Sequence, residues 1–83
     1  MDQIARTSTQ LGAALRRRRK HLGLSQAELG QRINLRQATV SALESGEVDT
    51  KLTTLLDALA ALNLELVVRP RSSGSGADIE ALF

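Results

Sequence analysis

Several residue types are absent or nearly so. The 83 residues include no cysteine, tryptophan or tyrosine, and only one phenylalanine, one histidine and one proline. Without cysteine the chain forms neither disulfides nor thiolate sites, and the composition fits a reducing compartment. With Phe83 as its lone aromatic, the core must be aliphatic. The carboxylates are scattered, and no acidic pair or metal-ligand spacing occurs. His21, near the end of a predicted helix, either caps carbonyls or stands exposed. These absences point away from an enzyme, and neither a cofactor nor a metal is expected. No apolar run approaches membrane-spanning length, and the N-terminal residues lack the hydrophobic segment of a signal peptide. The expectation is a cytoplasmic protein of one small domain, whose limited core gains stability from dimerisation.

The net charge of +2 hides an asymmetry. Residues 1–46 carry eight basic against three acidic side chains, giving +5, whereas residues 47–83 carry three against six, giving −3. A basic half of this kind suits a surface that faces phosphates. Within it, residues 23–46, GLSQAELGQRINLRQATVSALESG, encode two short helices across a tight turn. Ser25 and Glu28 form a capping box that starts a helix with Leu29 and Ile33 on its apolar side. Asn34 tolerates the left-handed conformation that ends such a helix. The next helix turns Val40, Leu43 and Glu44 inward, and Gln37, Ala38, Thr39 and Ser41 outward. Short polar and amide side chains at the start of an exposed helix can reach base edges in a DNA major groove. The pattern Leu24, Gln26, Leu29, Ile33, Val40, Leu43, Glu44 and Gly46 resembles the helix-turn-helix of the phage-repressor (Cro/C1, or XRE) family. That resemblance implies an all-α, lambda-repressor-like domain and binding to double-stranded DNA. Gln37 is then the expected direct reader, Gln26 the phosphate contact at a helix N-terminus, and Arg36 a further contact, to phosphate or else to a base.

Residues 9–22 read as a first helix, with Thr9 as N-cap, Leu11, Leu15 and Leu22 on one face, and Gly23 as its stop. In the run Arg16–Lys20, the line from Leu11 through Leu15 reaches Arg19, which leans inward while Arg16, Arg17 and Lys20 face water. The competing reading makes Arg19 one more solvated charge. An inward arginine and an inward Glu44 are each costly alone, so pairing them is the economical solution. A salt bridge at these two positions is also what the repressor resemblance implies.

Beyond a polar loop at 47–50, the segment KLTTLLDALAAL carries Leu52, Leu55, Leu56, Leu59 and Leu62, a helical stripe that closes the domain. Leu64, Glu65, Leu66, Val67 and Val68 then alternate as a strand that Pro70 terminates. A single strand is not stable alone, and its simplest partner is the same segment of another copy. The expected fold is therefore four helices plus one C-terminal β-strand pairing across a C2 dimer. The organisation reads as a flexible arm over 1–8, the DNA-binding and dimerisation domain over 9–70, and a tail over 71–83. In that tail a Ser/Gly linker leads to Ile79, Leu82 and Phe83 at i, i+3, i+4 spacing. Either this is a frayed terminus or it is a peptide that docks on a partner.

This combination of fourth helix, lone strand and tail resembles the HipB-type antitoxins, most clearly over RQATVSALES and TTLLDALAALNLELVV. The resemblance implies a bacterial homodimer that binds a palindromic operator, represses its own operon and neutralises a HipA-type serine/threonine kinase toxin. Two departures stand out. Asn34 occupies a position where glycine is usual, and Gly30 one where alanine is commoner, which lowers the helix propensity of its segment. Two other readings remain: a stand-alone phage- or host-derived repressor without a toxin, and a protein-interaction adaptor, which the basic N-terminal half disfavours.

Overall fold

The computed structural model describes residues 3–47 and 49–71. They form four helices: α1, Ser8–His21; α2, Gln26–Ile33; α3, Gln37–Ser45; and α4, Leu52–Ala61. The cap of α1 is Thr7 and not Thr9, because the Thr7 hydroxyl accepts the N–H of Gln10 at 3.1 Å. Thr9 consequently lies within the first turn. For α2, both halves of the capping box form, with Ser25 and Glu28 each accepting the other's backbone N–H at 3.0 Å.

All four helices close in the same way. A residue with φ between 56 and 74° follows each: Gly23, Asn34, Gly46 and Asn63. The N–H of the residue after it returns to the carbonyl five positions earlier. These bonds join Leu24 to Arg19, Leu35 to Gly30, Glu47 to Ala42, and Leu64 to Leu59. This is the Schellman closure, in which a left-handed residue lets the chain reverse and satisfies carbonyls that the helix leaves open. It also aims the following side chain inward. Leu24, Leu35 and Leu64 all pack against the core as partly buried residues. Asn63 repeats the role of Asn34. The same closure removes Leu22 from the core face: it falls just past the last turn of α1 and is 40% exposed.

The core consists of Leu15, Leu29, Val40, Leu43, Ala58, Leu59 and Leu62. It is wholly aliphatic. Helix α3 packs against α1 and α2, and α2 packs in turn against α4. The crossing of α1 over α3 is very close at Gly12, where a Cβ would lie 2.3 Å from the backbone oxygen of Glu44. Gly30 has a similar role. A Cβ there would lie 2.4 Å from the carbonyl oxygen of Leu35, so the lowered helix propensity accompanies a tight turn into α3.

The leucine stripe of α4 is wider than the core it meets. Leu59 and Leu62 are buried and Leu55 partly so, but Leu52 is 64% and Leu56 43% exposed. Leu55, Ala58, Leu59 and Leu62 form an i, i+3, i+4, i+7 set on the core side; Leu56 lies round the helix from that line, whereas Leu52, in line with Leu55 and Leu59, is the first residue of α4, a full turn before Leu55. After α4 the chain runs through residues 64–70 without helix or strand. A strand that pairs only with another copy has no ladder within one chain. Leu66, Val67 and Val68 are exposed there.

The close crossing yields a stability prediction. Alanine at position 12 should gain about 1 kcal/mol in helix propensity. The clash with backbone atoms that cannot rotate away should outweigh it, giving a net loss of roughly 1–3 kcal/mol. Urea denaturation of Gly12→Ala checks this, and equal or higher stability would show that the helices do not meet there.

Candidate nucleic-acid interface

Helix α3 is split lengthwise. Val40, Leu43 and Glu44 are buried, whereas Gln37, Ala38, Thr39 and Ser41 are exposed. Arg36, also exposed, occupies the N-cap position without a side-chain capping bond, so its guanidinium is not committed to the helix end. The four outward residues lie in the first half of the helix, two of them with groups that donate and accept through short side chains and one with an amide. A hydrogen-bonding surface of this size, on a helix whose other side is locked into the core, can enter a groove without first rearranging.

A buried polar cluster locks that other side. Arg19 Nε donates to Glu44 Oε2 at 2.6 Å and Arg19 Nη2 donates to Glu44 Oε1 at 3.0 Å. The two side chains are only 7% and 3% exposed. The remaining guanidinium nitrogen, Nη1, donates to the carbonyl of Leu24 at 2.8 Å, so Arg19 also holds the α1–α2 turn. The hydrogen bond to Glu44 raises the pKa of Arg19 above its ordinary value; desolvation works against that rise and the Glu44 charge adds to it. The arginine therefore stays charged throughout the working pH range. Every buried side-chain nitrogen and oxygen among the described residues has a partner.

Gln26 belongs to this cluster, which the sequence did not reveal. Its Nε2 donates to Glu44 Oε1 at 3.2 Å, and the side chain is partly buried. The sequence reading placed Gln26 at a phosphate; the structure connects it first to the inward face of α3. Two residues later, the Glu28 carboxyl is held below the usual glutamate range, first by the Ser25 backbone N–H and then by the Ser25 hydroxyl. A lowered value means that this half of the box is intact at neutral pH and is lost as the pH falls through it.

The basic run on α1 is also divided. Arg16, Arg17 and Lys20 are exposed, and Arg17 Nη2 reaches Gln3 Oε1 at 2.8 Å. Arg18 Nε donates to the carbonyl of Leu62 at 2.9 Å and so ties α1 to the end of α4. No local signal marks that bond, since its ends are 44 residues apart. Among the described residues no group of three or more His, Cys, Asp or Glu could hold a metal ion. No helix among them is long and apolar enough to cross a membrane. Ile79, Leu82 and Phe83 lie outside the described residues.

The family model described as Helix-turn-helix matches residues 15–68, which span the core, the α2–α3 turn and the segment after α4. The chain belongs to the helix-turn-helix family. Among curated members, it is 37% identical over 60 residues to Antitoxin HipB of Escherichia coli O6:H1, a match covering 72% of this chain and 64% of that protein. Antitoxin HipB of Escherichia coli K12 is likewise 37% identical over 60 residues, with 68% of that protein covered. The chain thus spans about two thirds of the length of these curated relatives, and slightly less than that for the first. Among solved structures, a HipB variant in an O2 20mer complex superposes with a TM-score of 0.75 at 35% identity, covering 83% of this chain and 96% of that one. HipB in a HipA–HipB–O2–O3 complex gives a TM-score of 0.73 at 34% identity, with 82% and 96% covered. The helix-turn-helix fold is therefore shared across nearly the full length of those chains.

The cluster dictates how this helix-turn-helix domain should respond to mutation. Glu44→Ala strands a buried guanidinium and should destabilise the domain by roughly 3–5 kcal/mol. Replacing Arg19 and Glu44 together by apolar residues should recover much of that loss. A double-mutant cycle read by chemical denaturation tests it, and additive losses would show that the pair contributes no coupling.

Proposed function

We propose that this chain is a sequence-specific DNA-binding antitoxin of the HipB type. In this reading it forms a homodimer, binds a palindromic operator in its own promoter and neutralises a HipA-type serine/threonine kinase toxin. The observation that carries the reading is the exposed first half of α3, fixed by the buried Arg19–Glu44–Gln26 cluster on a fold shared with HipB. The antitoxin role is supported by the two curated HipB relatives and by the likeness to the HipB of a HipA–HipB–O2–O3 complex. The role is one of binding, carried by a surface and needing no catalytic group or cofactor, and its place is the bacterial cytoplasm at the operator.

In detail, Gln37 reads a base edge, since its amide bonds an adenine bidentately, and Ala38 and the Thr39 methyl meet thymine methyl groups. Ser41 lies one turn along the same exposed face. Arg36 and Gln26 contact phosphates, the latter aided by the dipole of α2. Dimerisation is supported by the exposed run Leu66, Val67 and Val68, which one chain leaves uncovered. Pairing of Leu64–Val68 with its counterpart covers these residues, completes a two-stranded sheet and sets the two α3 helices to read half-sites about 34 Å apart. Ile79, Leu82 and Phe83 of the tail then serve as apolar anchors for the toxin.

Affinity purification of the full chain from its native host tests the antitoxin role. Recovery of a kinase-like protein from a neighbouring gene supports it, and a chain that purifies only with its operator would be a stand-alone repressor. Two mutations test the DNA and dimer assignments. Gln37→Ala should relax sequence preference by about 1–3 kcal/mol, while Gln26→Ala should weaken all DNA about equally. An unchanged ratio of operator to scrambled-duplex affinity in Gln37→Ala would remove Gln37 as the reader. Val67→Pro deletes an N–H from the ladder and should shift the protein toward monomer in analytical ultracentrifugation. A wild-type monomer at micromolar concentration would count against the dimer.

A further inference from the structure

We propose that Glu44, although buried and out of reach of any ligand, positions the Gln26 side chain for DNA phosphate. The inference deepens the DNA-binding reading above and rests on it. A carboxylate that accepts two hydrogen bonds from an arginine offers only acceptors, so it engages the Gln26 amide through the NH2 end. The bond from Gln26 Nε2 to Glu44 Oε1 therefore decides which way the amide faces. Its nitrogen has two hydrogens. One is used on Glu44, which leaves the second N–H without a partner among the described residues, on a side chain that is only partly buried.

Gln26 is the first residue of α2, where the backbone N–H groups of the first turn have no intrahelical acceptors and favour an anion. A glutamine there would ordinarily sample many rotamers and give up that freedom on contact. Held by Glu44, it gives up the freedom on folding, so the contact with phosphate starts from a prepared geometry. Oε1 of Glu44 is shared, accepting from Arg19 Nη2 at 3.0 Å and from Gln26 Nε2 at 3.2 Å. One oxygen thus links the core ion pair on α1 and α3 to the outward-facing end of α2. Glu44 acts through Gln26 and is a positioning residue.

Phosphate contacts do not depend on sequence, so a mixed-sequence duplex of about 30 base pairs at low salt is a sufficient probe. By fluorescence anisotropy, Gln26→Ala should lower affinity about tenfold, the scale of one hydrogen bond to a charged group. In a background carrying Arg19→Met and Glu44→Leu, checked for folding by circular dichroism, the same Gln26→Ala change should alter affinity less than about twofold, the mark of coupled residues. Equal losses in both backgrounds would overturn the proposal, as would an unchanged affinity for Gln26→Ala in the otherwise native chain. A native chain that binds no duplex would instead overturn the DNA-binding reading itself. A second measurement needs no variant to fold. In the NMR spectrum of the native protein, one Gln26 side-chain N–H proton should exchange with solvent more slowly than its twin. Two equally exchanging protons would exclude the bond.

Discussion

The bidentate contact between Arg19 and Glu44 is the constraint on which the rest of this domain depends. It joins α1 to α3 across the base of a core with no aromatic residue, where no large ring is available to wedge the helices apart or lock them together. Two charges in such a place are expensive to desolvate, and the pair is tolerable because each buried side-chain nitrogen and oxygen among the described residues has a partner. The third arginine nitrogen closes the α1–α2 turn and the second carboxylate oxygen takes in Gln26. The interaction therefore sets orientation more than it adds net stability. A fully apolar alternative could match its energy, but it would lose the bond to the Leu24 carbonyl in the α1–α2 turn and the bond that ties Gln26 of α2 to α3.

The close crossing at Gly12 and the four Schellman closures work toward the same end. Gly12 lets the backbones of α1 and α3 approach so that a side chain as long as arginine reaches its partner without stretching. The closures at Gly23, Asn34, Gly46 and Asn63 finish each helix within one turn and deliver an apolar side chain to the core after three of them. In a domain of this size, where few side chains can be fully buried, residues that follow the helices carry a real share of the packing. The fold is built as much from its helix ends as from its helix faces.

A surplus of apolar surface remains. Leu52, Leu56, Leu66, Val67 and Val68 are exposed in the single chain, in two groups that belong to α4 and to the segment after it. Large exposed aliphatic side chains grouped in this way favour association. The second group coincides with the alternating run that suits a cross-dimer strand, and the helix-turn-helix family match extends through this region to residue 68.

Much of this was legible in the chain. The capping box of Ser25 and Glu28, the left-handed stop at Asn34, the outward set on α3 and the inward lean of Arg19 all follow from signals that act within about one or two helical turns. Pairing Arg19 with Glu44 followed from cost, because two inward charges have few other ways to be satisfied. What tertiary structure alone decided is where elements far apart in sequence touch. Nothing near Gly12 in the sequence points to the Glu44 carbonyl that lies against it, nothing near Arg18 points to the Leu62 carbonyl, and Gln26, legible as a phosphate contact, gave no sign of its bond to Glu44. The leucines at 52 and 56 fit the helical stripe equally well and still lie outside the core, since the extent of a buried face is set by the helix packed against it. Local chemistry decides how each helix begins, turns and ends. Only the crossing of the helices decides which side chain meets which.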